Sequence, residues 1–197
     1  MAIAEKSIVN TGSASEELEY KIEIATQTLE RNIGFVTNCD NKTSIVLAAI
    51  GVLLTIILTD DGLKEIFNII RICIGDKATG NSFYLICLGV SSAITILGMF
   101  NLGSVLVAKT SEEASGFDGI NSRIFFSGIR ENEEYKTYRS RFYSMKREEL
   151  LDELIAQIYI NADIAARKYE KYNFGFKCTI IGFLLFVIIL LIGIYRY

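Results

Sequence analysis

Residues 178–195 constrain this chain more than any other feature: 18 positions without a charged side chain, and apolar throughout between Gly182 and Gly193. A hydrocarbon core of ~30 Å takes about 20 helical residues. A buried helix of a water-soluble domain keeps a polar stripe, and this stretch has none, so it reads as a membrane span. Two further stretches qualify: 17 residues at 43–59 between Lys42 and Asp60, and 31 uncharged residues at 78–108, of which 83–107 are the apolar part. The intervening stretch 62–75 differs. Its Leu63, Ile66, Phe67, Ile69, Ile70 and Ile74 are interrupted by Lys64, Glu65 and Arg71, the pattern of an amphipathic helix lying at the interface.

What the chain lacks narrows its chemistry. It has no proline and no histidine. Without proline nothing of that kind breaks or kinks a helix. Without histidine the commonest metal ligand and the usual neutral-pH base are missing. The four cysteines (Cys39, Cys73, Cys87 and Cys178) show no metal-binding spacing and read as small apolar side chains. Neither a phosphate-binding GxxxxGK[ST] loop nor a GxSxG elbow occurs. No enzymatic activity, catalytic residue, metal site or cofactor is expected.

Positive charge sets the orientation. With the N-terminus inside, 16 Lys and Arg lie on the inner side and 4 on the outer. The positive-inside rule then places residues 1–42 and 109–177 in the cytoplasm and the C-terminus outside. No apolar signal region lies near residue 1, so the first span is expected to serve as an uncleaved anchor.

The cytoplasmic segments carry helical periodicity. After a Ser15-Glu16-Glu17 start signal, Leu18, Ile22, Ala25, Leu29, Asn32 and Val36 recur at spacings of 4 and 3, a heptad-like stripe with one polar insertion. The pattern returns as Leu151, Ile155, Ile158, Ala162, Ala165, Tyr169, Tyr172 and Phe176. From Glu133 to Tyr195 no breaker stronger than Gly175 occurs, so one continuous helix is predicted, its cytoplasmic part ~60 Å long. Isolated helices of this kind are marginal in water, so the two stripes must pair with each other or with neighbouring copies. The fold class is an all-α membrane protein with three transmembrane helices, two of them continuous with long cytoplasmic helices that pair as a coiled-coil-like bundle. The expected organisation is a cytoplasmic helix (1–42), two spans (43–108) joined by an outer segment (60–82), a cytoplasmic loop and long helix (109–177), and a third span with a short tail (178–197).

Loop character is confined to 109–130, which ends near the apolar patch Ile124-Phe125-Phe126, read as a plug between helices. Small and hydroxyl residues line one face of the first span (Ser44, Ala48, Gly51, Thr55, Thr59). The second span carries a Gly89–Ala93 pair, with Ser91, Thr95 and Gly98 on an adjacent face. Such faces let helix backbones approach closely in lipid, so helix packing is the expected role, and the alternative is that they line a pore when subunits assemble.

Asp40-Asn41-Lys42-Thr43-Ser44 entering a span, Ile124-Phe125-Phe126 after a loop, and Leu154, Gln157 and Lys168-Tyr169 before a last span resemble the membrane effectors of bacterial Pycsar anti-phage systems, over roughly residues 15–197. Where family members often carry a proline before the Phe pair, this chain has Asn121-Ser122-Arg123. The resemblance implies a defence effector of the bacterial inner membrane. In that family a cyclase answering phage infection makes cyclic UMP or cyclic CMP, and the signal makes the effector impair the membrane, arresting or killing the cell. The implied partners are that cyclic nucleotide, membrane lipid and further copies of the chain, with no polymeric nucleic acid.

A cyclic nucleotide offers a phosphate anion, a base edge and an aromatic face, so its receptor needs a cation, an amide and a ring. Gln157, Asn161 and Lys168 fall on one flank of the last cytoplasmic helix, beside the apolar stripe. Asp40 and Lys42 come from the first helix, and Phe126, Arg130 and Tyr138 from the connecting segment. Asp40 also suits a register-holding ion pair with Lys168 or Arg167, which a ligand phosphate would displace. The competing reading is a constitutive coiled-coil membrane scaffold without a small-molecule ligand. A constitutive small channel is a third.

Overall fold

The computed structural model describes residues 2–75, 78–107, 122–125, 128–129 and 134–197, with side chains from Ser15 onward. Among them are five helices and no strand: α1 (Ala2–Ile57), α2 (Asp60–Gly75), α3 (Thr79–Val105), α4 (Tyr135–Tyr143) and α5 (Arg147–Arg196). Three of the helices, α1, α3 and α5, are long and apolar enough to cross a membrane. The contacts divide into two compact units: Met1–Thr37 with Ala108–Arg167, and Asn38–Val107 with Lys168–Tyr197.

In the first unit α1 and α5 pair within the chain. Ile160 and Ile164 are buried against Val36. The Asn32 amide, the polar insertion in the heptad stripe, donates to the Ile158 carbonyl at 3.2 Å. At the start of the seam Arg147 meets Glu19 at 3.4 Å. The sequence offsets of these two contacts are nearly equal and of one sign, so the helices run parallel. The α1 stripe lies as the heptad pattern predicts: Ala25 is buried, and Leu18, Ile22, Leu29, Asn32 and Val36 are half-buried.

Two details of α5 differ from the sequence reading. Its inner face holds Leu154, Gln157, Ile160, Ile164, Lys168 and, of the predicted stripe, Ala165, while Ile155 is 52% exposed and Ala162 is also exposed. The seam is thus turned by about one residue, ~100° of a 3.6-residue turn. This is possible because the polar Gln157 and Lys168 are buried there too. The predicted continuous helix also breaks at 144–146. The Ser144 hydroxyl donates to the Arg141 carbonyl at 3.0 Å. Glu149 then reaches back to accept the Lys146 N–H at 3.3 Å, the reciprocal half of a capping box, which starts a new helix.

The second unit is closed by backbone approach. On α3 the buried face is Tyr84, Leu88, Ser91, Thr95, Gly98, Leu102 and Val105, a strict alternation of 4 and 3. Opposite it, a Cβ on Gly182 would come within 2.7 Å of the Thr95 nitrogen, and one on Gly175 within 3.0 Å of the Gly98 oxygen. A Cβ on Gly98 would overlap the backbone nitrogen of Thr179. Rising numbers on α5 meet falling ones on α3, so this pair is antiparallel. The second span therefore packs through its Ser91–Thr95–Gly98 face, and Gly89 and Ala93 stay exposed. On the first span Ser44, Ala48, Thr55 and Thr59 are exposed. The hydroxyls of Ser44 and Thr55 donate to their own helix, to the Asp40 and Gly51 carbonyls at 3.0 and 2.9 Å, and so need no partner across an interface.

Helix α2 begins in a tight turn where the Gly62 N–H donates to the Thr59 hydroxyl at 3.3 Å, an N-cap bond. A Cβ on Gly62 would strike the Ile57 carbonyl, so this turn requires glycine. The buried side of α2, Ile69 and Cys73, packs on Tyr84 and Leu88, with Phe186 and Ile189 beside them. Its Lys64, Phe67 and Arg71 remain exposed.

Candidate functional site

In the first unit the polar centre is Arg123. Its Nε donates to Glu153 Oε1 at 2.8 Å and its Nη1 to Glu149 Oε2 at 2.7 Å, while its backbone N–H and the Ser122 hydroxyl bind the other Glu153 oxygen at 2.8 and 3.0 Å. The Ser122 hydroxyl also accepts the Phe125 N–H at 3.1 Å, folding 122–125 into a turn. Glu149 and Glu153 are one helical turn apart on α5, so one guanidinium spans both. The fork pushes the Arg123 pKa up, chiefly through its bond to Glu153. The Glu149 carboxyl is held below its usual 4.5, first by the Arg123 bond and then by the Lys146 N–H. From the sequence Arg123 stood out only as part of the Asn121-Ser122-Arg123 departure from the family pattern, and Glu149 and Glu153 were not singled out. The two carboxylates spaced by 4 were the available signal.

Beside this centre stands α4, whose sequence YKTYRSRFY holds three cations, four aromatic rings and no acid. The Tyr138 hydroxyl donates to the Arg123 carbonyl at 3.1 Å. Tyr138 and Phe142 ring centroids lie 6.1 Å apart, and the Arg139 guanidinium sits 5.5 Å from the Tyr143 ring centre.

In the second unit the buried Lys168 donates to Asp40 Oδ1 at 2.6 Å, with side-chain exposures of 6% and 34%. A nearly enclosed ammonium needs such a partner, since burial of an unpaired charge is costly. The pair is the one foreseen as a register-holder. Next to it the Thr43 hydroxyl donates to the Cys39 carbonyl at 2.8 Å, and burial pushes the Cys39 thiol pKa up.

The candidate residues belong to both units. Asp40 and Lys168 come together, and Lys42 lies exposed in the same unit. Tyr138, Gln157 and Asn161 belong to the first unit. There Gln157 is buried, and Asn161 donates to the Gln157 carbonyl at 2.9 Å. Phe126 and Arg130 lie outside the described residues. Among the described residues no group of three or more His, Cys, Asp or Glu side chains is placed to hold a metal ion.

Comparison with known proteins bears on this arrangement. The family model of the Pycsar effector protein domain matches residues 24–194. The Pycsar effector protein GmPycTM of Gulbenkiania mobilis is 30% identical over 187 residues, covering 88% of this chain and 92% of the relative. No solved structure matches the chain.

Proposed function

Because the chain belongs to the Pycsar effector family of anti-phage defence, we propose that it is a membrane effector gated by cyclic UMP or cyclic CMP, which on activation impairs the inner membrane of the infected cell. Residues 1–42 and 109–177 then face the cytoplasm, where the nucleotide is made, and the C-terminus faces outward. The observation that carries this reading is the continuity of α1 and α5: each is one unbroken helix from charged, water-facing sequence into a candidate span. A helix transmits displacement along its axis, and a ligand shifts such an equilibrium only by its differential affinity for the two arrangements.

Within this mechanism the Asp40–Lys168 pair is the clamp of the resting state. It joins the same two helices at 2.6 Å and holds their register until nucleotide binding displaces one along the other. Several copies act together. The exposed Tyr20, Ile24, Ile155 and Tyr159 provide apolar surface for assembly.

Dye release from proteoliposomes tests the proposal. Purified protein releases dye with cyclic UMP or cyclic CMP and stays tight without nucleotide. Silence with both would overturn the reading and favour the scaffold. Asp40→Ala lowers the nucleotide concentration needed for half-maximal release.

A further inference from the structure

The α4 helix is left unexplained by the packing. Tyr135 is 74%, Phe142 46% and Tyr143 77% exposed, on a helix of nine residues bearing Lys136, Arg139 and Arg141. Three large aromatic rings facing water oppose the hydrophobic effect unless something covers them. With Tyr138 and Arg139 they line an open depression of about 260 Å³ on one face of the helix. The lining sets ring faces beside a guanidinium, and residues 135–143 themselves carry no carboxylate, the acid at the N-cap being Glu134.

We propose that α4 is the stacking platform for the activating nucleotide: the base lies against Tyr135, Tyr138 and Phe142, and Arg139 holds the cyclic phosphate. The assignment rests on the reading of the protein as a cyclic-nucleotide effector and names the receptor surface within it. Stacking on aromatic rings is worth about 1–3 kcal/mol per base and is indifferent to base identity. Arginine is the cation suited to a phosphate diester, because its planar fork offers two parallel donors. Platform and helix are connected: the Tyr138 hydroxyl binds the Arg123 carbonyl, and Arg123 in turn grips Glu149 and Glu153 on α5. Occupancy of α4 thereby bears on the first two turns of the long helix.

Calorimetric titration of the full-length protein in detergent micelles with cyclic UMP and cyclic CMP tests the assignment. Tyr135→Ala and Arg139→Gln each raise Kd about 5- to 100-fold, and Tyr135→Ala does so by similar factors for both nucleotides. Phe35→Ala, which removes an exposed ring elsewhere in the same unit, leaves Kd unchanged. If the wild-type protein binds and all three variants bind as well as it does, the platform assignment falls while the effector reading stands. If the wild-type protein binds neither nucleotide, the effector reading itself falls. A spin label at position 135 that is relaxed by lipid-soluble oxygen and not by an aqueous nickel chelate would overturn the assignment by placing α4 on a membrane surface.

Discussion

Helix α5 takes part in two seams made from opposite choices of residue. Against α1 in the first unit it presents Ile160 and Ile164, branched side chains that pack with Val36. Against α3 in the second unit it presents Gly175, Thr179 and Gly182, which leave room for backbone to touch backbone. Water explains the first choice, because removing apolar area from it drives association. Lipid tails offer no such gain, so helices in a bilayer associate by close van der Waals contact, for which small residues are needed. One helix thus records in its own sequence the change of solvent along its length.

Substitutions aimed at either seam break the comparison, and the expected effects descend in the following order. Gly98→Leu forces a branched side chain into the backbone of Thr179. Overpacking costs about 1–3 kcal/mol where side chains can yield, and a backbone cannot, so the second unit should lose at least ~3 kcal/mol or fail to assemble. Denaturant titration in micelles, followed by circular dichroism, measures it. An unchanged midpoint would mean that α3 and α5 do not approach this closely.

Ile160→Ala opens a cavity at a fully buried position and should cost about 3 kcal/mol in the same assay. Ile155→Ala, five residues earlier at a position that is 52% exposed, should cost well under ~1 kcal/mol. Equal losses at both positions would restore the seam register read from the heptad pattern.

Asp40→Ala strips the partner from a Lys168 that is 6% exposed. Losing one member of a fully buried pair costs about 3–5 kcal/mol, and the partial exposure of Asp40 reduces this to about 2. The double variant Asp40→Leu with Lys168→Met should recover much of that loss, because no uncompensated charge remains.

The smallest effect is electrostatic. Glu149 has its pKa lowered by Arg123 and the Lys146 N–H, so its contribution to folding is complete above the unfolded value of about 4.5 and vanishes as pH falls through the depressed folded value. Arg123→Met should flatten that part of the acid denaturation profile and leave stability at pH 9 to reflect only the lost hydrogen bonds. A profile with the same acid dependence in both proteins would exclude the fork as its origin.

Legibility in the sequence followed how local each signal was. The α1 stripe was readable because its apolar residues and its buried face coincide, and even the odd Asn32 found its place across the seam. The α5 stripe was misplaced by one position for a physical reason. Ile155 and Ala162 look like core residues by type, yet a polar residue such as Lys168 can be buried on the neighbouring face once an acceptor such as Asp40 is present. Acceptors that arrive from 128 residues away leave no trace in a periodicity. The break at 144–146 was equally obscure, since a serine hydroxyl and a glutamate capping bond replaced the glycine or proline that usually marks one. Of the candidate site, the Asp40–Lys168 pair was legible as a register-holder, whereas the Arg123 fork depended on a loop reaching helix carboxylates 26 and 30 residues further on.

By itself the sequence determined an all-α chain with three spans, because the length of an uncharged run and the spacing of apolar residues are properties of neighbours along the chain. Only the tertiary structure decided which face of each helix is inner, which glycines touch, and which ions meet. Those depend on what stands opposite, and a buried polar group is tolerable only where a distant residue answers it.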